Sequence, residues 1–316
     1  MNTHQRWIIL PIFFLAVALR LSTITTKSLW VDEVNSLQQA SWTRDVILSN
    51  PYHDPHPPGY YLFLHEWIQR FGTSELWLRL PSAIFGALSV LVVYALGRSI
   101  GSPRLGAWAA FLLAIDPIGI WYSQETRMYA MLAFFALCGT LVTALMLKRS
   151  TIWAWPIAVL TFAAAMYLDY GGLIFWGVSI VVTIIAMIWL RAWKPARFAL
   201  WLTAQVAIAL LYLPQWPKAF DTISSLAQGY IFQLIAEGLQ RLGLKIDQQN
   251  LPIILIAVGA VMGLAFLIIF IRFMRHRTGS GTSSNRDNRL IIIAILIAYV
   301  AWLLLAAAPR FYSIKR

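Results

Sequence analysis

Cysteine is almost missing from this sequence, and acidic residues are scarce. The 316 residues hold one cysteine, Cys138, so an intrachain disulfide framework and a thiolate metal site are both excluded. Cys138 lies inside an apolar run and reads as a small core residue. Asp and Glu number 13 against 25 Lys and Arg, and charged residues make up only 12% of the chain. An average soluble domain carries about 25%, so an ordinary soluble fold is excluded too. Also missing are an internal repeat, a P-loop and a GxGxxG following a strand, which leaves nucleotide binding by those routes without support.

Apolar runs take their place. Hydrophobic residues make up 59% of the chain and the mean hydropathy is +0.68. Long runs recur over 7–24, 76–97, 105–121, 128–147, 152–168, 173–190, 198–213, 251–271 and 290–308. A helix crosses the hydrocarbon core with roughly 20 residues, in a range of about 17–25. The pattern predicts an all-α, polytopic membrane protein with about nine transmembrane helices, those at 152–168 and 198–213 being short. The first run is expected to be a retained anchor, because no small-x-small cleavage site follows it and Arg20 interrupts that region. Arg20 is then expected to snorkel to the outer interface.

Charge sets the orientation. With the N-terminus in the cytoplasm, the inner segments hold Arg6, Arg98, Arg104, Lys148, Arg149, Arg191, Lys194, Arg197, Arg272, Arg275, Arg277, Arg286 and Arg289, against one acid, Asp287. Every inner loop is basic, as the positive-inside rule requires. The net charge of +12 is therefore a topology signal, and no basic, aromatic-interleaved soluble face exists to bind nucleic acid. The chain is expected to form one membrane domain over 1–316. Residues 25–75 form a first outer loop carrying interfacial helices at about 33–48 and 58–71. Residues 214–250 form a second outer segment with another interfacial helix, and 276–289 a flexible inner linker.

The remaining polar residues gather on the outer side. Asp32 and Glu33 follow the first run; YHDPHPPGYY (52–61) supplies Asp54, His56 and Tyr60; YSQETRMYA (122–130) supplies Glu125 and Arg127; Arg310 follows the last run. Each has a structural reading as well. Asp32 or Glu33 suits a helix N-terminus, the double proline suits a first helical turn, and Glu125 with Arg127 would make a surface pair worth under about 1 kcal/mol. Asp116 reads as a helix-end group, Asp169 as a turn residue and His65 as solvated. Convergence of three loops on one face favours chemistry instead. A carboxylate can take a proton from a hydroxyl, while arginines stabilise charge on a departing phosphate.

The segments WVDE (30–33), HPPGYY (56–61), FGTSELWLRLPSAIFG (71–86) and YSQETRMYAMLAFF (122–135) resemble the polytopic glycosyltransferases of the C superfold. The nearest resemblance is to dolichyl-phosphate-mannose–protein mannosyltransferase-like proteins, relatives of the lipid A aminoarabinose transferases. The four segments cover about the first 150 residues in the family's order; APRF (308–311) is similar to a later family segment. The resemblance implies an active site on the outer face of the cell membrane and a sugar donor carried on polyprenyl phosphate. It also implies inverting single displacement onto a glycan, lipid or protein acceptor.

Asp32 stands at the family's base position, with Glu33 beside it. His56, with Asp54 and Tyr60 in the same segment, falls near the lipid phosphate. Arg127 is expected to be the main phosphate ligand, with Glu125 orienting it or the acceptor, and Arg310 a weaker candidate for the same role. No cofactor is implied, although Asp32, Asp54 and His56 would ligate a divalent metal if they converged. Family members continue past the APRF-like segment with further spans, whereas this sequence ends at Arg316, as a short form or a fragment would. Two other readings stay open: a transporter or flippase, and an inactive lipid-binding member of the family.

Overall fold

A computed structural model describes residues 3–49, 56–148, 154–189 and 195–226, and every regular element among them is helical. Asp54, Arg310, the last two predicted spans, the 276–289 linker and most of the 214–250 segment lie outside these residues. Helices stand at the first seven predicted runs: α1 (Thr3–Leu21), α5 (Glu75–Ile100), α6 (Pro103–Ile115), α8 (Tyr129–Lys148), α9 (Ala154–Leu168), α10 (Gly171–Trp189) and α11 (Pro195–Leu211). Between α1 and α5 come α2 (Val31–Ala40), α3 (Arg44–Ser49) and α4 (Gly59–Phe71); α7 (Pro117–Tyr122) follows α6. The described residues fall into two compact units, one ending at Gln215 and the other beginning at Trp216. Of the second, only α12 (Trp216–Leu226) is described.

Glu75–Ile100 and Tyr129–Met146 are long and apolar enough to cross a membrane, and shorter apolar helices accompany them. In the first unit α5 is central, packed against α1, α6 and α8, while α9 packs against α8, α10 and α11. The C-termini of α1, α6 and α9 meet the N-termini of α5 and α8 at one end of this bundle, where α2, α3 and α4 also lie.

The third predicted span is broken. Pro117 disfavours helix at the residue before it, so Asp116 is extended (φ −62°, ψ 117°) and α6 stops at Ile115. Asp116 then starts α7 by accepting the Gly119 N–H at 2.7 Å, the helix-end role its position suggested. The break leaves the last carbonyls of α6 without helical donors, and Arg20 fills them. Its Nη1 donates to Ala114 O at 3.1 Å and to Ala16 O at 3.2 Å, its Nη2 to Leu113 O at 3.2 Å, and its Nε to Ser123 Oγ at 3.2 Å. Arg20 is 1% exposed. The expected snorkelling is thus corrected: carbonyls at a helix C-terminus attract a cation more strongly than a distant interface. Glycine at 86 makes room, since a Cβ there would overlap the Ser123 side chain.

The predicted interfacial helix over 33–48 is also two elements, separated at Ser41–Thr43, residues that favour caps over helix interiors. Where α2 ends, His65 of α4 donates from Nδ1 to Ala40 O at 2.8 Å. This histidine, expected to be solvated, instead closes the end of α2.

Proline also explains how α4 is fixed to α5. Pro81 lacks an N–H, so the carbonyl four residues earlier, Trp77 O, has no helical donor. The indole Nε1 of Trp67 on α4 donates to it at 2.7 Å. Phe71 stacks between Trp67 and Trp77, with centroids at 4.2 and 5.0 Å. On its other side α4 meets α9: a Cβ on Gly59 would stand 2.5 Å from the Tyr167 carbonyl oxygen. Trp67→Phe keeps the stack and deletes the hydrogen bond. It is expected to cost about 1 kcal/mol, read as a small drop in melting temperature in detergent, whereas Gly59→Ala forces α4 off α9 and should cost more.

Candidate functional site

Arg79, one turn into α5, reaches across the end of the bundle and uses every donor it has. Nε and Nη2 pair with Glu33 Oε1 and Oε2 at 2.8 and 2.7 Å; Nη1 donates to the carbonyls of Ile24 and Lys27 at 2.7 and 2.8 Å, and Nη2 to that of Ser28 at 3.1 Å. Glu33 is equally committed. Its Oε1 also accepts the Thr126 N–H at 2.8 Å, and its Oε2 the Trp30 N–H at 3.3 Å, which fastens the start of α2. Both side chains are at least 96% buried. Burial opposes the Glu33 charge, but the Arg79 hydrogen bonds and the Thr126 amide outweigh it and hold the carboxyl below its ordinary value. With four hydrogen bonds accepted, this carboxylate has no lone pair left for a substrate proton.

Its neighbour is different. Successive residues of a helix point about 100° apart, so with Glu33 facing inward Asp32 is only half-buried. The Asp32 carboxylate makes no hydrogen bond among the described residues. Its carbonyl is used instead, accepting Ser36 Oγ at 2.8 Å and, more loosely, Arg127 Nη1 at 3.5 Å.

Arg127 lies in the turn between α7 and α8, which is closed by its own N–H donating to Glu125 O at 2.8 Å. Ser82 of α5 donates to the Arg127 carbonyl at 3.1 Å and fixes the turn from below. The guanidinium is buried, yet its partners are neutral. Nη1 donates to Ser36 Oγ at 3.2 Å, and Nη2 to His56 Nε2 and Tyr129 Oη, both at 3.3 Å. Nε is buried without any hydrogen-bond partner, and among the described residues no carboxylate pairs with this charge. The Asp32 and Glu125 carboxylates act on this charge without pairing with it, and a buried cation whose hydrogen-bond partners are all neutral favours a bound anion.

Glu125 sits two residues before Arg127 and makes no hydrogen bond to its guanidinium. Its Oε1 accepts the Trp121 indole N–H, and its Oε2 is buried and unpartnered. Burial pushes the carboxyl up to about 7, with Glu33 and Asp32 adding to the effect and Trp121 and Arg127 opposing it.

The structure therefore brings His56 and the Asp32 carbonyl into contact with Arg127, ties Glu33 to the neighbouring Thr126 amide, and leaves Glu125 on the same turn. Tyr60 is fully buried in the core beside Tyr61, with Leu64 and Met128. Asp54 and Arg310 fall outside the described residues. Arg79, Ser36 and Tyr129 were not singled out by sequence reasoning, although an arginine inside the apolar start of a span is itself a signal of a buried partner. No group of three His, Cys, Asp or Glu side chains converges on a metal-sized site among the described residues. His56 Nε2 is occupied by an Arg127 N–H, so this arrangement does not fit a divalent ion at that nitrogen.

Two outcomes follow from these charges. Arg79→Ala strands a buried carboxylate and is expected to destabilise the protein by roughly 3 to 5 kcal/mol, read as loss of folded protein or a large fall in melting temperature. Arg79→Lys, which cannot fill five acceptors, should recover little. Glu125 holds a proton when folded that an exposed glutamate would have lost near its ordinary value. Its contribution to stability therefore falls as the pH rises through about 7. Glu125→Gln should remove the fall in melting temperature between about pH 4.5 and 7, above which the group adds no further slope, and an unchanged profile in that window would count against the bound proton.

The sequence matches the dolichyl-phosphate-mannose-protein mannosyltransferase family over residues 55–218, which holds His56, Arg79, Glu125 and Arg127. No curated protein matches the sequence. Among solved structures, the fold is similar to the oligosaccharyltransferase of Archaeoglobus fulgidus crystallised with Zn and sulfate. The TM-score is 0.57 at 18% identity, over 92% of this chain and 46% of that one. The same archaeal enzyme in complex with an inhibitory peptide and a dolichol-phosphate gives a TM-score of 0.55 at 18% identity, over 87% of this chain and 38% of that one. This chain thus spans less than half the length of the proteins whose fold it shares. The family match covers half of the sequence, and the apolar helices are those of an integral membrane protein; the chain belongs to the dolichyl-phosphate-mannose-protein mannosyltransferase family.

Proposed function

We propose that this protein transfers a sugar from a polyprenyl-phosphate-linked donor to an acceptor hydroxyl, in one inverting displacement at the outer face of the membrane. The observation that carries the reading is the buried Arg127 guanidinium, held by neutral partners and keeping one donor unused. A phosphate oxygen completes it. The outer-face orientation is supported by the basic inner loops, with the N-terminus in the cytoplasm.

In the proposed reaction the Asp32 carboxylate takes the proton of the acceptor hydroxyl. The acceptor oxygen bonds to the anomeric carbon from the side opposite the phosphate. The bond from that carbon to the phosphate oxygen breaks, and its electron pair stays with the phosphate. Arg127 stabilises the charge that develops there, and His56 holds Arg127 in place from the HPP turn. Glu33 acts through position, anchoring the first turn of α2 so that Asp32 is fixed while its carboxylate remains available. Glu125 offers its open oxygen to the acceptor, and Tyr60 supports the turn from the core.

Transfer from a polyprenyl-phosphate sugar in vesicles, with native mass spectrometry of the purified chain, tests these roles separately. Asp32→Asn should lower transfer by about 100-fold or more, the usual scale of general-base catalysis, while leaving the bound lipid in place. Arg127→Ala should lose the bound lipid phosphate. Full transfer by Asp32→Asn would remove the base, and absence of any polyprenyl phosphate on the wild-type chain would point to a transporter or an inactive member of the family.

A further inference from the structure

Two buried groups of opposite formal charge share the α7–α8 turn and leave each other unpaired. Glu125 is 8% exposed and Arg127 4%, and each buries one polar atom without a hydrogen-bond partner, Oε2 of the carboxyl and Nε of the guanidinium. The backbone holds the two residues close. The Arg127 N–H donates to Glu125 O at 2.8 Å, and the Thr126 N–H between them to Glu33 Oε1, also at 2.8 Å. Trp121, near the end of α7, fixes the Glu125 side chain by donating its indole N–H to Oε1.

A carboxylate beside a buried guanidinium ordinarily ionises and pairs with it. Here its surroundings oppose that. Burial disfavours the ionised form, the Glu33 and Asp32 carboxylates of α2 add to the effect against Trp121 and Arg127, and the carboxyl is pushed up to about 7. Arg79 of α5 also acts on Glu125, but its donors are filled by Glu33 and three carbonyls. Lys27 Nζ stands 5.0 Å from the centroid of the Trp121 ring, and Arg20 of α1 is bound to Ser123 and to carbonyls of α6. His56 of the HPP turn and Tyr129 of α8 meet Arg127.

Arg127 therefore has two alternative counter-charges. With Glu125 neutral, its charge is left for an anion from outside the chain. With Glu125 ionised, an anion two residues away already answers that charge and repels a second one.

We infer that Glu125 is the proton switch of this site: a lipid phosphate binds at Arg127 while Glu125 carries a proton, and the ionised Glu125 opposes it. This rests on the reading of Arg127 as the lipid-phosphate site. A bound phosphate adds negative charge near the carboxyl and cancels part of the Arg127 attraction, so Glu125 keeps its proton to higher pH in the complex. Below about 7 the free protein already holds that proton, and its binding is insensitive to pH. Above about 7 binding draws a proton in, and affinity falls as the pH rises.

The test titrates the full-length protein in detergent with the methyl ester of polyprenyl phosphate. This diester keeps a single charge across the range, where the bare monoester would itself titrate near about 6. Wild-type affinity should fall between about pH 6 and 9, by about tenfold if the phosphate raises the Glu125 value by one unit. Glu125→Gln should lose the fall and bind at high pH as tightly as at low pH. Imidazoles also gain charge in acid, and a fall that came from His56 would persist in this variant. Trp121→Phe keeps an aromatic ring for Lys27 and deletes the N–H that favours the ionised carboxylate, so it should move the fall to higher pH. It decides the matter if Glu125→Gln misfolds. A fall that is absent from wild type, retained in Glu125→Gln or unmoved in Trp121→Phe overturns the switch and leaves the phosphate reading standing. A wild-type chain that binds neither the ester nor bare polyprenyl phosphate even in acid overturns the reading of Arg127 on which the switch rests.

Discussion

The ion pair between Glu33 and Arg79 governs the geometry of everything at this end of the bundle. Burying two charges costs several kcal/mol each unless their hydrogen bonds are filled, and here they are filled completely. The five donors of Arg79 and the four bonds accepted by Glu33 engage the carbonyls of 24–28, the first turn of α2, α5 and the amide of Thr126. Three regions distant in sequence, residues 24–33, the start of α5 and the turn at Thr126, are thereby registered to one pair of side chains. Asp32 precedes the pair's acid by one residue and Arg127 follows Thr126 by one. The two groups proposed to act on substrate are thus each one peptide unit from the fixed point, and neither is used up in making it.

Three buried arginines show how differently one side chain can be used in an apolar protein. Arg20 is absorbed by the carbonyls that the Asp116–Pro117 break exposes, and Arg79 by an acid and three carbonyls. Both are matched and serve the fold. Arg127 hydrogen-bonds only to a serine, an imidazole, a phenol and a distant carbonyl, with the Asp32 and Glu125 carboxylates near but unpaired, and one of its donors is buried with no partner. The contrast, rather than burial as such, is what marks it for a ligand.

Much of this architecture was legible in the sequence and some of it was not, for identifiable reasons. Hydropathy locates the helices because each run must fill a membrane, and seven of the nine runs coincide with described helices. It does not register the break at Asp116, because Pro117 is a local steric effect inside a run whose mean hydropathy stays high. The adjacency of Asp32 and Glu33 was visible, but their opposite fates were not. Which carboxylate turns inward depends on Arg79, 46 residues away, and that arginine was quoted only as part of a family segment. His65 and Arg20 were misjudged for the same reason: a polar side chain near a helix end finds a carbonyl whose position depends on tertiary packing. Asp169 was legible as a turn residue, and its Oδ1 accepts the Gly171 N–H.

What stays open at this end of the bundle divides by charge. Arg127 keeps a buried donor without a hydrogen-bond partner, while the Asp32 carboxylate takes no hydrogen bond among the described residues. In the proposed displacement these two would serve opposite ends of one event, the guanidinium the charge left on the phosphate and the carboxylate the proton of the acceptor hydroxyl. Fixed contacts hold them in register, Glu33 on the Thr126 amide on one side and His56 on Arg127 on the other.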